Sequence, residues 1–176
     1  VYHGNLNGAP TAGYSTATAG SNAIIKAAKD AKAAGEPLWV MAWGALTDVA
    51  QALHDDPTIA STIRVLASNG WNWTQDPNAY NYTVSFAKSG MWMLDSKSTH
   101  RGIYLDSSGG TNNGYDMNNI KGHGALGNYM YNAQPWGIKM GDTWSVAYLL
   151  DAADNNNPTL TTSWGGTFLK NGLGAN

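Results

Sequence analysis

The chain contains no cysteine, so neither a disulfide framework nor a thiolate metal site is available to it. Glutamate is almost absent: Glu36, next to Pro37, stands alone. Carboxylate chemistry must therefore use aspartate. Charged residues fill only 12% of the 176 positions, about half the share of an ordinary soluble domain. Ten basic against twelve acidic residues leave a net charge of -2, which argues against a nucleic-acid partner held by phosphate neutralisation. No apolar run approaches the roughly 18 residues of a membrane-spanning helix. Val1 to Gly8 show neither a basic n-region nor an apolar h-region, so the expectation is either a removed signal peptide or a start partway into a longer product.

Aromatic residues are plentiful. Eight Trp and nine Tyr carry too much apolar surface for a disordered coil, and the length suffices for a core without staples. Abundant Gly, Asn, Thr and Trp with little Lys and Glu suggest a secreted or periplasmic protein.

The hydrophobic pattern changes period along the chain. Val1 to Gly20 has none and reads as extended or looped. Ser21 is expected to cap a helix over Asn22–Ala34, with Ile24, Ile25, Ala28 and Ala31 on one face and Gly35 as its stop. Leu38–Trp43 is apolar, short and bounded by Pro37 and Gly44, which predicts a strand buried on both faces. A helix over Asp48–His54, capped by Thr47 or Asp48, comes next, and Asp56-Pro57 opens a further turn. Ile63–Ala67 reads as a second buried strand. Strand, helix, strand in about 30 residues implies a parallel sheet with a right-handed crossover.

Beyond Gly70 the pattern is less regular. Phe86–Leu94 fits a helix or a strand, and Asp106–Asn119 looks like a long polar loop. Thr143–Leu150 is expected to be a helix, with Asp142 at its cap and Val146, Ala147, Leu149 and Leu150 inward. The tail reads as loop around a Ser163-Trp-Gly-Gly166 turn. With no fixed-period repeat and no evident linker, the expectation is one domain over residues 1–176. Its class is α/β, an open, mainly parallel, Rossmann-like sheet with flanking helices.

In such a sheet ligands bind beyond the carboxyl ends of the strands. That places Trp43–Asp48 and Ser68–Trp73 side by side on one rim, although Thr47 and Asp48 are also ordinary helix-start residues. Asp142 opens a helix, where its carboxylate would either cap it or serve as a hard-cation ligand; spacing favours the cap. His123 lies between two glycines, but no H-x-x-x-H pair, G-x-S-x-G elbow or phosphate loop accompanies it. Exposed Trp and Tyr rings stack on sugar faces while Asn and Asp bind hydroxyls, though at least half of these rings are expected in the core. Asn69, Trp71, Asn72, Trp73, His123 and Trp164 are the ligand-binding candidates on this reading.

The order of motifs resembles a known family. Pro37-Leu-Trp-Val-Met-Ala-Trp-Gly-Ala-Leu-Thr-Asp-Val-Ala-Gln-Ala-Leu53 followed by Ile63-Arg-Val65 resembles the central βαβ of the inosine-uridine nucleoside hydrolase superfamily. The likeness is closest to its nucleoside hydrolase-like branch, secreted bacterial proteins sometimes named cellulose-binding. Thr99-His-Arg-Gly-Ile-Tyr104, Gly122-His-Gly-Ala-Leu-Gly127, Gly141-Asp-Thr143 leading into Tyr148-Leu-Leu150, and Ser163-Trp-Gly-Gly166 follow in the same order. The resemblance implies a Ca²⁺ ion at the sheet rim that binds ribose hydroxyls and the attacking water. It puts Asp142 at a metal-binding aspartate and Leu46 or Thr47 at a carbonyl ligand of the metal. In Pro77-Asn-Ala-Tyr-Asn81 it implies that Asn81 matches a ribose-binding Asn, with Ala79 in place of a Glu.

One departure is large. The family opens with a strand ending in a D-x-D-x-x-x-D-D cluster, which supplies most of the metal ligands and the general base. Here the first aspartate is Asp30, inside a helix. A Ca²⁺ ion takes about six to eight oxygens, so no catalytic residue is assigned and the metal site is expected to be incomplete. The chain looks like the C-terminal two-thirds of that fold. The expected activity is calcium-dependent hydrolysis of ribonucleoside N-glycosidic bonds if an N-terminal Asp-rich segment completes it. The alternative is a secreted carbohydrate-binding or self-assembling structural domain on a degenerate hydrolase scaffold. Partners are expected to be a nucleoside or carbohydrate, with a second copy or an N-terminal fragment possible, and no nucleic acid or membrane.

Overall fold

A computed structural model describes residues 16–68, 71–96, 120–133, 141–151, 163–166 and 168. The chain divides into two compact units, one of residues 1–97 with 169–176 and the other of residues 98–168. In the first, helix α1 (Ala19–Ala34) precedes strand β1 (Leu38–Ala42), helix α2 (Thr47–Asp55), a 3-10 turn (Pro57–Ser61), strand β2 (Ile63–Ser68), a second 3-10 turn (Asn72–Thr74), helix α3 (Pro77–Lys88) and strand β3 (Trp92–Ser96). The three strands pair in the order β1-β2-β3, all parallel. The fold is α/β, with an open parallel sheet and flanking helices, as the strand–helix–strand spacing requires.

Alternation fixes the two faces of the sheet. Leu38, Val40, Ala42, Ile63, Val65, Ala67 and Met93 pack with Ala28 of α1, Val49, Ala50, Ala52 and Leu53 of α2 and Ala79 and Ala87 of α3 in one core. On the opposite face the register aligns Trp39, Arg64 and Trp92 in one row. The Arg64 guanidinium lies 5.0 Å from the Trp39 ring centre and 5.8 Å from that of Trp92. The central strand is buried as expected, apart from Arg64. β1 is not buried on both faces: its residues are half-buried and Met41 is exposed. It lies at the edge of the three strands, where only one side has a paired neighbour.

Helix starts differ from the expected ones for specific chemical reasons. α1 begins before Ser21 because Thr18 is its cap: the Ser21 N–H donates to Thr18 Oγ1 at 2.9 Å, and the Thr18 N–H donates to Ser21 Oγ at 2.9 Å. This reciprocal capping box makes Ser21 the third helical residue rather than the cap. Gly35 ends the helix at φ 76°, a left-handed conformation that glycine adopts without strain. α2 starts at Thr47, so neither Thr47 nor Asp48 caps it. The ambiguous Phe86–Leu94 stretch holds both elements: α3 ends at Lys88, Gly90 turns the chain at φ 109°, and β3 follows.

In the second unit, α4 (Gly124–Ala133) and α5 (Thr143–Leu150) are described, with a turn closed by Ser163 and Gly166. α5 faces the other way from the expectation. Trp144, Ser145 and Tyr148 are buried, while Val146 and Leu150 are exposed. Trp144 and Tyr148 stand one turn apart and share Phe168, at 5.6 and 5.9 Å between ring centres. Burying two aromatic rings removes more apolar surface from water than burying Val146 and Leu150, and this decides the face. The expected loop at Asp106–Asn119 and the Thr99–Tyr104 motif lie outside the described residues.

Candidate functional site: the carboxyl rim of the sheet

The carboxyl ends of β1 and β2 and the start of α3 meet at one rim of the first unit. Asn72 joins the two loops: its side-chain amide donates to the Ser68 carbonyl at 2.7 Å and to the Trp43 carbonyl at 3.1 Å. The expected adjacency of the β1 and β2 loops is therefore met. The amide of Asn72, a candidate for ligand contact, is engaged in holding that adjacency.

A second tie runs below the loops. Asp76 is buried and caps α3, accepting from the Ala79 N–H at 3.0 Å. Its other oxygen accepts from the buried Thr47 hydroxyl at 2.7 Å. Asp48 accepts from the Thr18 hydroxyl at 2.6 Å. The start of α2 is thus fixed to the starts of both α1 and α3. Asp-Pro before α3 has the same cap signature as Asp56-Pro57, so Asp76 was within reach of sequence reasoning; its bond to Thr47 was not.

Aromatic rings stand on this scaffold. Trp71 is 72% exposed, Trp43 50% and Trp73 42%. Trp73 leans on Tyr80, 6.1 Å between ring centres and tilted 48°. The Tyr80 hydroxyl donates to Asp95 Oδ2 at 2.8 Å. Burial, and then the Asp95 carboxylate, push the Tyr80 phenol well above its ordinary pKa, so it stays a donor at any physiological pH. Tyr80 and Asp95 were not singled out by sequence; the available signal was an acid closing the apolar run Met91-Trp-Met-Leu-Asp95.

The remaining candidates are dispersed. Asn81 is exposed in the first turns of α3, and Asn69 lies outside the described residues. In the second unit His123 is exposed just before α4, its backbone N–H donating to the Ile120 carbonyl at 3.1 Å. Trp164 is 72% exposed at the Ser163–Gly166 turn. Its backbone N–H donates to Asp151 Oδ2 at 3.1 Å. Asp142 precedes α5 in a helical backbone conformation and makes no side-chain cap.

The oxygens implied as calcium ligands can be tested against their bonding. The Leu46 carbonyl accepts one hydrogen bond, from the Ala50 N–H at 2.8 Å, which leaves it one lone pair; the Thr47 oxygen implied is its carbonyl, not the hydroxyl that donates to Asp76. Among the described residues no group of three or more His, Asp or Glu side chains could hold a metal. A hard cation needs about six oxygens. The described residues do not fit that demand, and no chemical step is derived through calcium.

A family model described as "Cellulose-binding Sde182, nucleoside hydrolase-like domain" matches residues 1–168. No curated protein and no solved structure matches the chain.

Proposed function

The chain belongs to the family of cellulose-binding Sde182, nucleoside hydrolase-like domains, and from that membership we propose that it binds β-1,4-glucan through the aromatic rim of its first unit. The observation that carries this reading is the exposure of Trp71 and Trp73 on a turn anchored by Asn72. Large exposed aromatics grouped on one edge leave apolar area in water that a ligand would cover. Indole faces suit the apolar C–H faces of pyranose rings, and the nearby polar groups suit their hydroxyls. Because cellulose lies outside cells, this reading carries a secreted or periplasmic location with it.

Retention of the whole chain on cellulose, against an inert resin, is the test. Trp71→Ala and Trp73→Ala should each lower retention at least tenfold; the thermal midpoint should be unchanged in Trp71→Ala, whose ring is largely solvated, and fall modestly in Trp73→Ala, whose ring also packs on Tyr80. Equal retention of wild type and both variants would reject the rim as the site.

The nucleoside hydrolase half of the family's description supports a second reading, calcium-dependent release of ribose from inosine or uridine. Asp142 favours it as the residue that the motif order sets at a metal-binding aspartate. That reading requires metal ligands beyond the described residues. Ribose release that Asp142→Ala abolishes would establish it.

A further inference from the structure

We infer that the second unit carries a sugar subsite of its own, with the Trp164 indole as its stacking face and the Asp151 carboxylate as its hydroxyl acceptor, so that the chain grips a glucan at two places. The inference rests on the glucan-binding reading above and adds a contact that the rim does not supply.

The mounting of Trp164 argues for a built contact. Trp144, in the same unit, is fully buried and shares Phe168 with Tyr148. This unit thus takes an indole into its core, yet it leaves Trp164 72% exposed. The backbone beneath that ring is tied down. Ser163 and Gly166 exchange N–H to carbonyl bonds at 3.1 and 3.0 Å. The Ser163 hydroxyl donates to the Gly166 carbonyl at 2.8 Å and accepts from the Gly165 N–H at 3.2 Å. Gly165 lies so close to α5 that a Cβ there would meet the Trp144 carbonyl oxygen at 2.5 Å. The Trp164 backbone N–H is itself held by Asp151. A turn tied at each of its residues therefore presents one large ring to water. A side chain on a fixed backbone has less freedom to lose when a ligand covers it, which favours binding.

Asp151 supplies the polar partner. It directly follows α5 and is half-buried. The 3.1 Å bond from the Trp164 N–H is the one hydrogen bond its side chain makes among the described residues. An ionised carboxylate has about four acceptor sites, so acceptors remain for sugar hydroxyls, and such bonds are stronger than those to neutral acceptors. An indole with a carboxylate bonded to its own backbone suits a pyranose, which is apolar on its C–H face and ringed by hydroxyl donors. A glucan repeats that ring along its length. Two weak contacts on one polymer reinforce each other through effective concentration, without any new bond.

Titration with cellotriose tests the subsite on the full chain, read from the indole N–H signals of its eight tryptophans after nitrogen-15 labelling and assignment by substitution. The Trp164 signal should move as well as that of Trp71, and it should still move in Trp71→Ala. Asp151→Asn keeps an oxygen for the Trp164 N–H. It should weaken the Trp164 response about fivefold and leave that of Trp71 unchanged, a selectivity that a merely structural role would not produce. On amorphous cellulose Trp164→Ala should lower retention about tenfold at an unchanged thermal midpoint, and Trp164→Tyr should keep most of it. A Trp164 signal unmoved by cellotriose while that of Trp71 moves would overturn the second subsite and leave glucan binding at the rim standing. Wild-type retention in Trp164→Ala would overturn the two-place grip, and a wild-type Trp164 response in Asp151→Asn would overturn the role of the carboxylate. Dimers that Trp164→Ala dissolves, with no response to cellotriose, would assign the ring to a second copy of the chain instead. If neither signal moves and the wild type is not retained, the broader reading falls too.

Discussion

At the scale of single residues, two aspartates show how position decides use. Asp76 is buried with both oxygens occupied, by a backbone N–H and by the Thr47 hydroxyl. Thr47→Val keeps the shape but removes the donor from a buried carboxylate. It is expected to cost about 1–3 kcal/mol, read as a lower midpoint in urea unfolding. Thr47→Ser, which restores the donor, should recover most of the loss. Asp56 works at the surface. Its carboxylate accepts from Lys29 Nζ at 2.9 Å and from the Thr58 hydroxyl and N–H. Lys29 first, and then Thr58, hold its pKa down at about 2, below the ordinary 3.8. A depressed carboxylate contributes stability that is fully present above its unfolded pKa and disappears as pH falls through the folded one. Thermal midpoints should therefore drop between about pH 4 and pH 2, and Asp56→Asn should flatten that window. The effect should shrink in high salt because Lys29 is solvated.

At the scale of elements, packing explains both what sequence patterning revealed and what it concealed. The turn at Ser163–Gly166 sits directly on α5. A Cβ at Gly165 would lie 2.5 Å from the Trp144 carbonyl oxygen and 2.7 Å from Tyr148 Cβ. Gly165→Ala must push the turn off the helix, with an expected loss of about 1–3 kcal/mol. A change in near-ultraviolet dichroism from Trp144 and Tyr148 would report that displacement; an unchanged midpoint and spectrum would contradict the close approach. The same contact explains why α5 was misoriented on hydrophobicity alone. Aliphatic residues at Val146 and Leu150 suggest one face, but Trp144 and Tyr148 are spaced four apart and bury more area. α1, α2, β1 and β2 were legible because apolar spacing, Gly35 and Asp-Pro are local signals. The Thr18 cap was missed because Ser21 satisfies the same rule three residues later. In the site, the adjacency of the Trp43 and Trp71 loops followed from topology, and exposed Trp71 and Trp73 from composition. Thr47–Asp76 and Tyr80–Asp95 join residues 29 and 15 positions apart, and no local pattern encodes such pairs.

At the scale of the whole molecule, family likeness and described chemistry separate. Nucleoside hydrolase-like architecture is present in the parallel sheet and its flanking helices. Sugar recognition in the hydrolases that the motifs resemble passes through a metal, whereas the described rim here offers exposed indoles and a fixed phenol. If binding runs through Trp71 and Trp73, it needs no ion between protein and sugar. Retention on amorphous cellulose should then be the same with millimolar CaCl₂ and with excess EDTA. It should also tolerate about 1 M NaCl, because stacking and short hydrogen bonds to neutral hydroxyls are little screened compared with charge pairs. Retention that EDTA abolishes and calcium restores would instead place a cation at the sugar. The rim proposal would then give way to a metal-bridged site, and Asp142→Ala would become the decisive variant.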